Sequence, residues 1–272
     1  IHPYEQLNVH KAQSYKSGST TLTGNGQFIH IVDSHCNDNH DIFNNKTIHN
    51  LDDGDAGEST FDAATNNPFS KEVFYMAWTT TPWTLPSNLG LTLGPNIEYT
   101  LISTYNPYTA MPVNVIVAKA LVSKYFKEEG LSLTSFAEGD KIVPWKELAT
   151  FKGSQLEGLR YEQLMPFEAN NPANIEGDPF KIIVGDFVTT EDGTGIVHTA
   201  PTFGADDAKV AKEAIPEVPP LLILDENSNK VPLVDLQGKF RSEMGSLAGQ
   251  YVKNEYYDEG KAPDKSSDVQ IA

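Results

Sequence analysis

The chain has 272 residues, of which 39% are hydrophobic and 21% charged, a composition typical of a globular protein with a sizeable core. No apolar run approaches the roughly 18–20 residues needed to cross a bilayer, and no signal-peptide pattern opens the chain. The net charge of −17 argues against a protein that holds a phosphate backbone on its own basic surface, and the single cysteine excludes an internal disulfide scaffold. Because the first residue is isoleucine, we expect a fragment or a trimmed N-terminus.

Residues 1–70 form a polar segment for which the sequence indicates no role. This segment is rich in Asn, Asp, Ser, Thr, Gly and His, and it contains six of the seven histidines. Residues 27–32 predict a short strand, and residues 50–67 predict a polar loop. One set of side chains here could bind a metal: His30, His35, Cys36 and His40. Because their spacing matches no standard zinc pattern, we expect no metal site and no cofactor.

From residue 71 the apolar pattern becomes regular and predicts many short strands with few helices. Strands are predicted over residues 73–80, 89–93, 99–103, 113–117, 147–152, 181–188 and 195–199. Apolar residues at helical spacing between 118 and 126 predict a helix that ends near Gly130. A second helix is predicted to begin near Asp206, and a hairpin is predicted from residues 221–224 and 231–234.

The order of these elements favours an α+β fold, a β-rich barrel-like domain with a few short helices. Long helices do not alternate with the strands, which argues against a parallel α/β sheet. We therefore predict three parts: a polar segment over residues 1–70, one domain over residues 71–258, and a solvated tail over residues 259–272.

Three consecutive threonines, Thr79 to Thr81, leave the first regular strand and meet Pro82. Side-chain alternation predicts that Thr79 and Thr81 face one side and Thr80 the other. Because proline fixes the backbone, the loop presents several hydroxyls on a rigid frame that suits a small polar ligand or a water. Two more polar groups follow, at Thr84 and Asn88. The competing interpretation is a strand end whose hydroxyls bond only their own backbone.

A second polar segment, residues 186–207, combines a turn, a strand end and a helix start. His198 lies at the end of the predicted strand, and Asp206 and Asp207 open the predicted helix. An imidazole and a carboxylate nine residues apart can converge on one pocket through the intervening proline- and glycine-containing loop. The structural alternative is a half-buried histidine with satisfied nitrogens and an ordinary helix N-cap.

The first threonine segment and residues 193–207 together resemble the editing (connective polypeptide) domain of isoleucyl-tRNA synthetase. The segment Thr80-Thr81-Pro82-Trp83 has the isoleucyl form, whereas the related valyl and leucyl enzymes usually have Thr-Thr-Arg-Pro. Residues 156–167 also look like the connecting region of that family.

The resemblance covers residues 72–255, and residues 1–70 do not look like the family. The two signatures of the synthetic site, His-Ile-Gly-His and Lys-Met-Ser-Lys-Ser, are absent from the chain. We therefore expect a domain that removes wrong amino acids from tRNA and does not activate amino acids.

The resemblance implies a role for each matching residue. The implied catalytic residues are Thr79, Thr80, Thr81, His198 and Asp207. The implied substrate-binding residues are Trp83, Thr84, Asn88, Thr199 and Asp206. Asp207 is expected to bind the α-ammonium group of the aminoacyl moiety, and His198 to limit the size of the side-chain pocket. The three threonines are expected to hold the ester, the terminal adenosine and the attacking water, while Trp83 packs near the adenosine and Asn88 supports the loop.

The implied reaction is hydrolysis of mis-charged Val-tRNA(Ile) by a positioned water, without a covalent intermediate. The implied partners are the aminoacyl end of tRNA(Ile) and the remainder of a parent synthetase. A monomer in the cytoplasm, without membrane contact, is expected. Two alternatives stay open: hydrolysis of valyl-adenylate, which shares an adenosine and an ammonium group with the first substrate, and a non-catalytic tRNA-docking module.

Overall fold

A mixed sheet of nine strands is the centre of the computed structural model. The structure describes the backbone of residues 26–33 and 41–49, and it describes residues 73–137, 139–161, 163–165 and 177–271 with their side chains. The strands are β1 (Gly26–Asp33), β2 (Asp41–His49), β3 (Val73–Thr79), β4 (Gly90–Leu93), β5 (Glu98–Tyr105), β6 (Pro112–Ala118), β7 (Trp145–Lys152), β8 (Lys181–Val184) and β9 (Ile196–Thr199). A separate hairpin pairs β10 (Ile223–Leu224) with β11 (Lys230–Val231).

The helices are short and lie between or after the strands. The α-helices are α1 (Val122–Tyr125), α2 (Gly153–Leu156), α3 (Ala205–Glu213) and α4 (Ser267–Ile271). The 3₁₀ helices are Pro82–Ser87, Lys119–Leu121, Glu128–Ser132, Ser242–Leu247 and Asn254–Tyr256. In the part of the chain that the structure describes, no helix has both the length and the apolar character of a membrane span.

The strand order is β7-β5-β6-β3-β9-β4-β8, with β1 beside β3 and β2 beside β1. Strand β3 runs parallel to β1, β6 and β9, whereas β4 runs antiparallel to β9 and parallel to β8. This mixed sheet, accompanied by a few short helices, confirms the predicted α+β fold. Strand β1 also confirms the strand predicted over residues 27–32, so the polar N-terminal segment contributes two strands to this sheet.

The inner strands are buried along almost their whole length. Every residue of β4, and all of β3 except Trp78, is buried, and β6 is buried beyond its first residue. A strand that is covered on both faces requires apolar side chains at successive positions, which explains the apolar runs of the sequence. Leu91, Ile116 and Ile182 are completely buried members of the resulting core.

Two predicted elements differ from the structure. The helix predicted between 118 and 130 is divided into a 3₁₀ turn, α1 and a second 3₁₀ helix, with Phe126 extended between them. Phe126 packs on the ring of Trp145, whose indole N–H donates to the carbonyl of Lys127, so contacts with β7 replace helix continuity. Strand β8 ends at Val184 instead of residue 188, because a turn begins there.

The tail beyond Glu259 was expected to be solvated, and this expectation is wrong for its last residues. Helix α4 buries Ile271, which is 2% exposed, and Ser267, which is 1% exposed. The helix packs against the 3₁₀ helix Pro82–Ser87. The possible metal ligands His30, His35, Cys36 and His40 lie outside the residues whose side chains are described.

The packing of α4 predicts that Ile271→Ala lowers the free energy of unfolding by about 2 kcal/mol, because it leaves a cavity in the core. Val269→Ala is the matched control, since Val269 lies on the same helix and is 36% exposed. We expect this control to change stability by less than about 0.5 kcal/mol in urea denaturation. Equal, small effects of both variants would contradict the docking of α4.

Candidate active site

The topology brings the two polar motifs to one edge of the sheet. Trp78 of β3 pairs with Val197 of the parallel strand β9, so the carboxyl ends of both strands meet at this edge. Strand β4 is antiparallel to β9, and its Leu91 pairs with His198. The loop before β4 therefore reaches the same edge, and segments that are more than a hundred residues apart in the chain become neighbours.

The threonine run leaves the strand and turns at once. Strand β3 ends at Thr79, whose Oγ1 accepts a hydrogen bond from the backbone N–H of Thr81 at 3.0 Å. The hydroxyl oxygens of Thr80 and Thr81 are 3.4 Å apart. The exposure of these three side chains agrees with the predicted alternation. Thr79 is buried, Thr81 half-buried and Thr80 exposed, so the run carries hydroxyls from the sheet to the surface.

His198 is buried and has a hydrogen bond at both ring nitrogens. Its Nδ1 is 2.8 Å from Nδ2 of Asn88, and its Nε2 is 2.9 Å from Oγ1 of Thr84. The Thr84 hydroxyl donates to the carbonyl oxygen of Thr81 at 2.8 Å. These contacts join the end of β9 to the loop between β3 and β4, residues 80–89, which is called the threonine loop.

The partners of His198 define its tautomer. The amide group Nδ2 of Asn88 also donates to the carbonyl of Gly90 at 2.9 Å, which fixes Nδ2 as the nitrogen that faces His198. An amide NH₂ only donates, so Nδ1 of the imidazole must accept and Nε2 must carry the hydrogen. Burial lowers the pKa of His198 from 6.5 to about 3. The histidine is therefore neutral near pH 7.

Asp207 lies in the first turn of α3 and turns back toward the loop that precedes it. Its Oδ2 accepts the backbone N–H of Ala200 at 2.8 Å. Burial raises the pKa of this carboxyl group, Asp206 adds to the increase, and the bond from Ala200 opposes it. Within the described residues, Oδ1 of Asp207 has no hydrogen-bond partner. A Cβ on Gly204 would lie 2.7 Å from the Asp207 carboxylate, so a larger residue here would displace that carboxylate.

The remaining predicted residues have different surroundings. Thr199 is completely buried, and its hydroxyl is 2.6 Å from that of Thr92, whereas Asp206 is exposed. Trp83 packs edge-on against Phe203 with ring centroids 5.0 Å apart. Thr84 and Asn88 are buried, and both contact His198. The roles implied for all ten residues stay predictions.

Two residues of the site were missed from the sequence. Tyr161 donates its hydroxyl hydrogen to Oδ1 of Asn88 at 2.7 Å, and it lies in the segment 156–167 that resembles the connecting region of the family. Asp268 of α4 accepts the backbone N–H of Trp83 at 2.8 Å, although it belongs to the expected tail. Neither contact follows from a spacing pattern, because each partner lies more than 70 residues away.

An acidic cavity of about 350 Å³ lies elsewhere in the described part of the chain. Its lining contains none of the predicted site residues and consists of Asp225, Glu226, Asn227, Asp235, Arg241, Ser242 and Glu243. Among the residues with described side chains, no group of three or more His, Cys, Asp or Glu could hold a metal ion.

Similar sequences occur in isoleucine–tRNA ligases, although no family model matches the chain. The isoleucine–tRNA ligase of Cytophaga hutchinsonii is 53% identical over 199 residues, which are 72% of this chain and 17% of that protein. Those of Bacteroides fragilis and Porphyromonas gingivalis are 47% and 46% identical over 216 and 220 residues. These two alignments cover 73% and 74% of this chain and 18% and 19% of those proteins.

Solved structures overlap with the fold only in part. GlLeuRS-CP1 has a TM-score of 0.39 at 15% identity, covering 57% of this chain and 47% of that one. The P. falciparum cytosolic leucyl-tRNA synthetase editing domain has a TM-score of 0.35 at 16% identity, covering 52% and 46% of the two chains.

The class that the sequence relatives define is the aminoacyl-tRNA ligases. Within that class, the chain belongs to the isoleucine–tRNA ligase family. This confirms the resemblance seen in the threonine and histidine motifs. The chain spans less than a fifth of the length of these curated relatives, at 17% to 19%.

The buried, neutral state of His198 predicts a pH-dependent contribution to stability. Between pH 6.5 and about 3 the unfolded chain binds a proton at His198 and the folded chain does not. The free energy of unfolding therefore falls as the pH falls through this window, by up to about 1.4 kcal/mol per pH unit. In His198→Gln this dependence is lost, so the stability advantage of the wild type should shrink between pH 7 and pH 4.

The measurement is urea denaturation of both proteins at several pH values. The other titrating groups are common to both and cancel in the difference. A difference that stays constant across this range would show that His198 has the same pKa in the folded and the unfolded chain.

Proposed function

We propose that this chain is a proofreading domain of an isoleucine–tRNA ligase and that it hydrolyses valine from mis-charged tRNA(Ile). The observation that carries the proposal is the convergence of the threonine loop and the His198–Asp207 segment at one sheet edge, in a chain of this family. The aminoacyl end of the tRNA is the proposed substrate. The remainder of the ligase, in the cytoplasm, is the proposed partner.

Asp207 is the proposed binding group for the α-ammonium of the aminoacyl moiety. Its Oδ2 is held by the N–H of Ala200, which leaves Oδ1 to accept a charge-assisted hydrogen bond. The bond to Ala200 orients the carboxylate before a ligand arrives. A cation beside this group also favours its ionised form and offsets the increase in pKa that burial causes.

The threonine hydroxyls are the proposed groups that hold the ester and the attacking water. In the step we propose, a water oxygen bonds to the ester carbonyl carbon, and the bond from that carbon to the ribose oxygen breaks. Valine then leaves as the free acid, and the ribose oxygen takes a proton. Because an ester is already reactive, positioning supplies much of the rate. A neutral histidine with both nitrogens bonded does not act as the base here.

Selectivity has a simple physical reason. Isoleucine and valine differ by one methylene, so a hydrophobic synthetic pocket discriminates between them only about 10- to 200-fold, a limit known for this class of enzyme. A second site that admits valine and excludes isoleucine supplies the remaining discrimination between the two amino acids. The exposed Thr80 is the proposed wall of that site, with His198 behind the loop.

The first test compares hydrolysis of Val-tRNA(Ile) and Ile-tRNA(Ile) by the full chain and by Asp207→Ala. We expect the wild type to release valine much faster than isoleucine, and the variant to lose roughly a hundredfold or more in rate. Glu213→Ala removes the same charge from the exposed end of the same helix and should retain the activity.

A further variant separates the effect of the position of the Asp207 carboxylate from the effect of its charge. Gly204→Ala keeps the carboxylate but displaces it by a clash at 2.7 Å, so it should lose hydrolysis as Asp207→Ala does. Full activity of Asp207→Ala would overturn the role of Asp207, and full activity of Gly204→Ala would show that the exact position of its carboxylate does not limit the rate. Hydrolysis of valyl-adenylate alone would replace the proposed substrate, and tRNA binding without any hydrolysis would support a docking module instead.

We predict that replacing Thr80 with a smaller residue lowers the selectivity for Val-tRNA(Ile) over Ile-tRNA(Ile). Thr80→Ala removes an exposed methyl and hydroxyl, so Ile-tRNA(Ile) should become a substrate while Val-tRNA(Ile) is still cleaved. The ratio of the two values of kcat/KM measures the effect. An unchanged ratio would show that another residue limits the pocket.

A further inference from the structure

Tyr161 is the buried beginning of a hydrogen-bond chain that ends in the threonine loop. Its hydroxyl donates to Oδ1 of Asn88 at 2.7 Å, and the residue is 3% exposed. Asn88 then donates to Nδ1 of His198 at 2.8 Å. The chain continues through Thr84 to the carbonyl oxygen of Thr81, with distances of 2.9 and 2.8 Å.

Every donor in this chain points toward the loop. The tyrosine and the Gly90 carbonyl hold opposite ends of the same amide, because one donates to Oδ1 and the other accepts from Nδ2. The orientation of the amide requires His198 to accept at Nδ1 and to donate at Nε2. Thr84 receives that hydrogen bond, and its own hydroxyl hydrogen is directed to Thr81.

The end of the chain is the backbone of the loop itself. The Thr81 carbonyl accepts both the hydroxyl of Thr84 and its backbone N–H, the latter at 3.1 Å. The Thr81 N–H donates to the hydroxyl of Thr79. The backbone N–H and carbonyl of Thr81 are therefore both hydrogen-bonded. These bonds fix the backbone of the loop and so the directions of the hydroxyls of Thr79 to Thr81.

We propose that Tyr161 is a positioning residue for hydrolysis, which acts on the threonine loop through Asn88, His198 and Thr84. This inference rests on the proposed function for its effect on the reaction. In the absence of the tyrosine hydroxyl, Oδ1 of Asn88 loses its donor. The amide is then held at one end only, by the Gly90 carbonyl, so the turned orientation gains population. In that orientation His198 takes its hydrogen at Nδ1, and the Thr84 hydroxyl is drawn from Thr81 to Nε2.

The test uses Tyr161→Phe in the full chain, which removes one oxygen and keeps the ring that packs on Phe180. Tyr99→Phe is the matched control. Its hydroxyl is also buried and makes two hydrogen bonds, from the Gly94 N–H and to the Gly195 carbonyl, and neither leads to His198. Two readouts are compared: the ¹⁵N signals of the His198 ring, assigned with His198→Gln, and kcat and KM for Val-tRNA(Ile).

We expect Tyr161→Phe to add a second set of His198 signals, with Nδ1 protonated, and to lower kcat roughly tenfold or more at nearly unchanged KM, as loss of a group that orients a site residue does. Tyr99→Phe should retain the wild-type ring signals and kcat. If the wild type is active, a change in only one readout, or equal effects of both variants, would overturn the proposal. If the wild type hydrolyses neither substrate, the proposed function fails, and the ring signals alone decide whether Tyr161 orients His198.

Discussion

The hydrogen bond from the Asn88 amide to Nδ1 of His198 is the contact on which the candidate site depends. It joins Asn88, two residues before β4, to His198 of β9, and both side chains are buried. An unpaired polar group at such a position costs about 1–3 kcal/mol, so the bond is strongly retained. Because Nδ1 accepts it, the single hydrogen of the neutral ring lies on Nε2 and faces Thr84. The geometry of the threonine loop follows from that one assignment.

The resulting site is organised for positioning more than for proton transfer. Burial lowers the pKa of His198, and both of its ring nitrogens are hydrogen-bonded. The ring therefore stabilises the contact between β9 and the threonine loop. Among the described site residues, the hydroxyl of Thr80 lies at the surface and Oδ1 of Asp207 has no hydrogen-bond partner. One offers neutral hydrogen bonds and the other a negative charge, a pairing that suits an amino-acid ester with its ammonium group.

The net charge of −17 has two opposite consequences for the proposed substrate. An acidic surface attracts the ammonium group of the aminoacyl moiety and repels the phosphate backbone that carries it. Under the proposed function, a chain of this charge contacts only the end of a tRNA. The greater part of the proposed binding then falls to the rest of a ligase, since this chain spans only 17% to 19% of its curated relatives.

The sequence by itself determined the fold class, the two motifs and every strand of the sheet except β2. A run of buried apolar residues such as Val73–Ala77 is a local property, and the motif residues Thr79–Thr81, His198 and Asp207 could be named from their resemblance to the family. Only the tertiary structure decided that the helical pattern after Ala118 is interrupted at Phe126 and that Ile271 packs into the core. It also decided which polar groups are enclosed. Thr84, His198 and Thr199 are buried while Thr80 and Asp206 are exposed, because their hydrogen-bond partners come from segments paired across long stretches of chain, and no local pattern encodes that pairing.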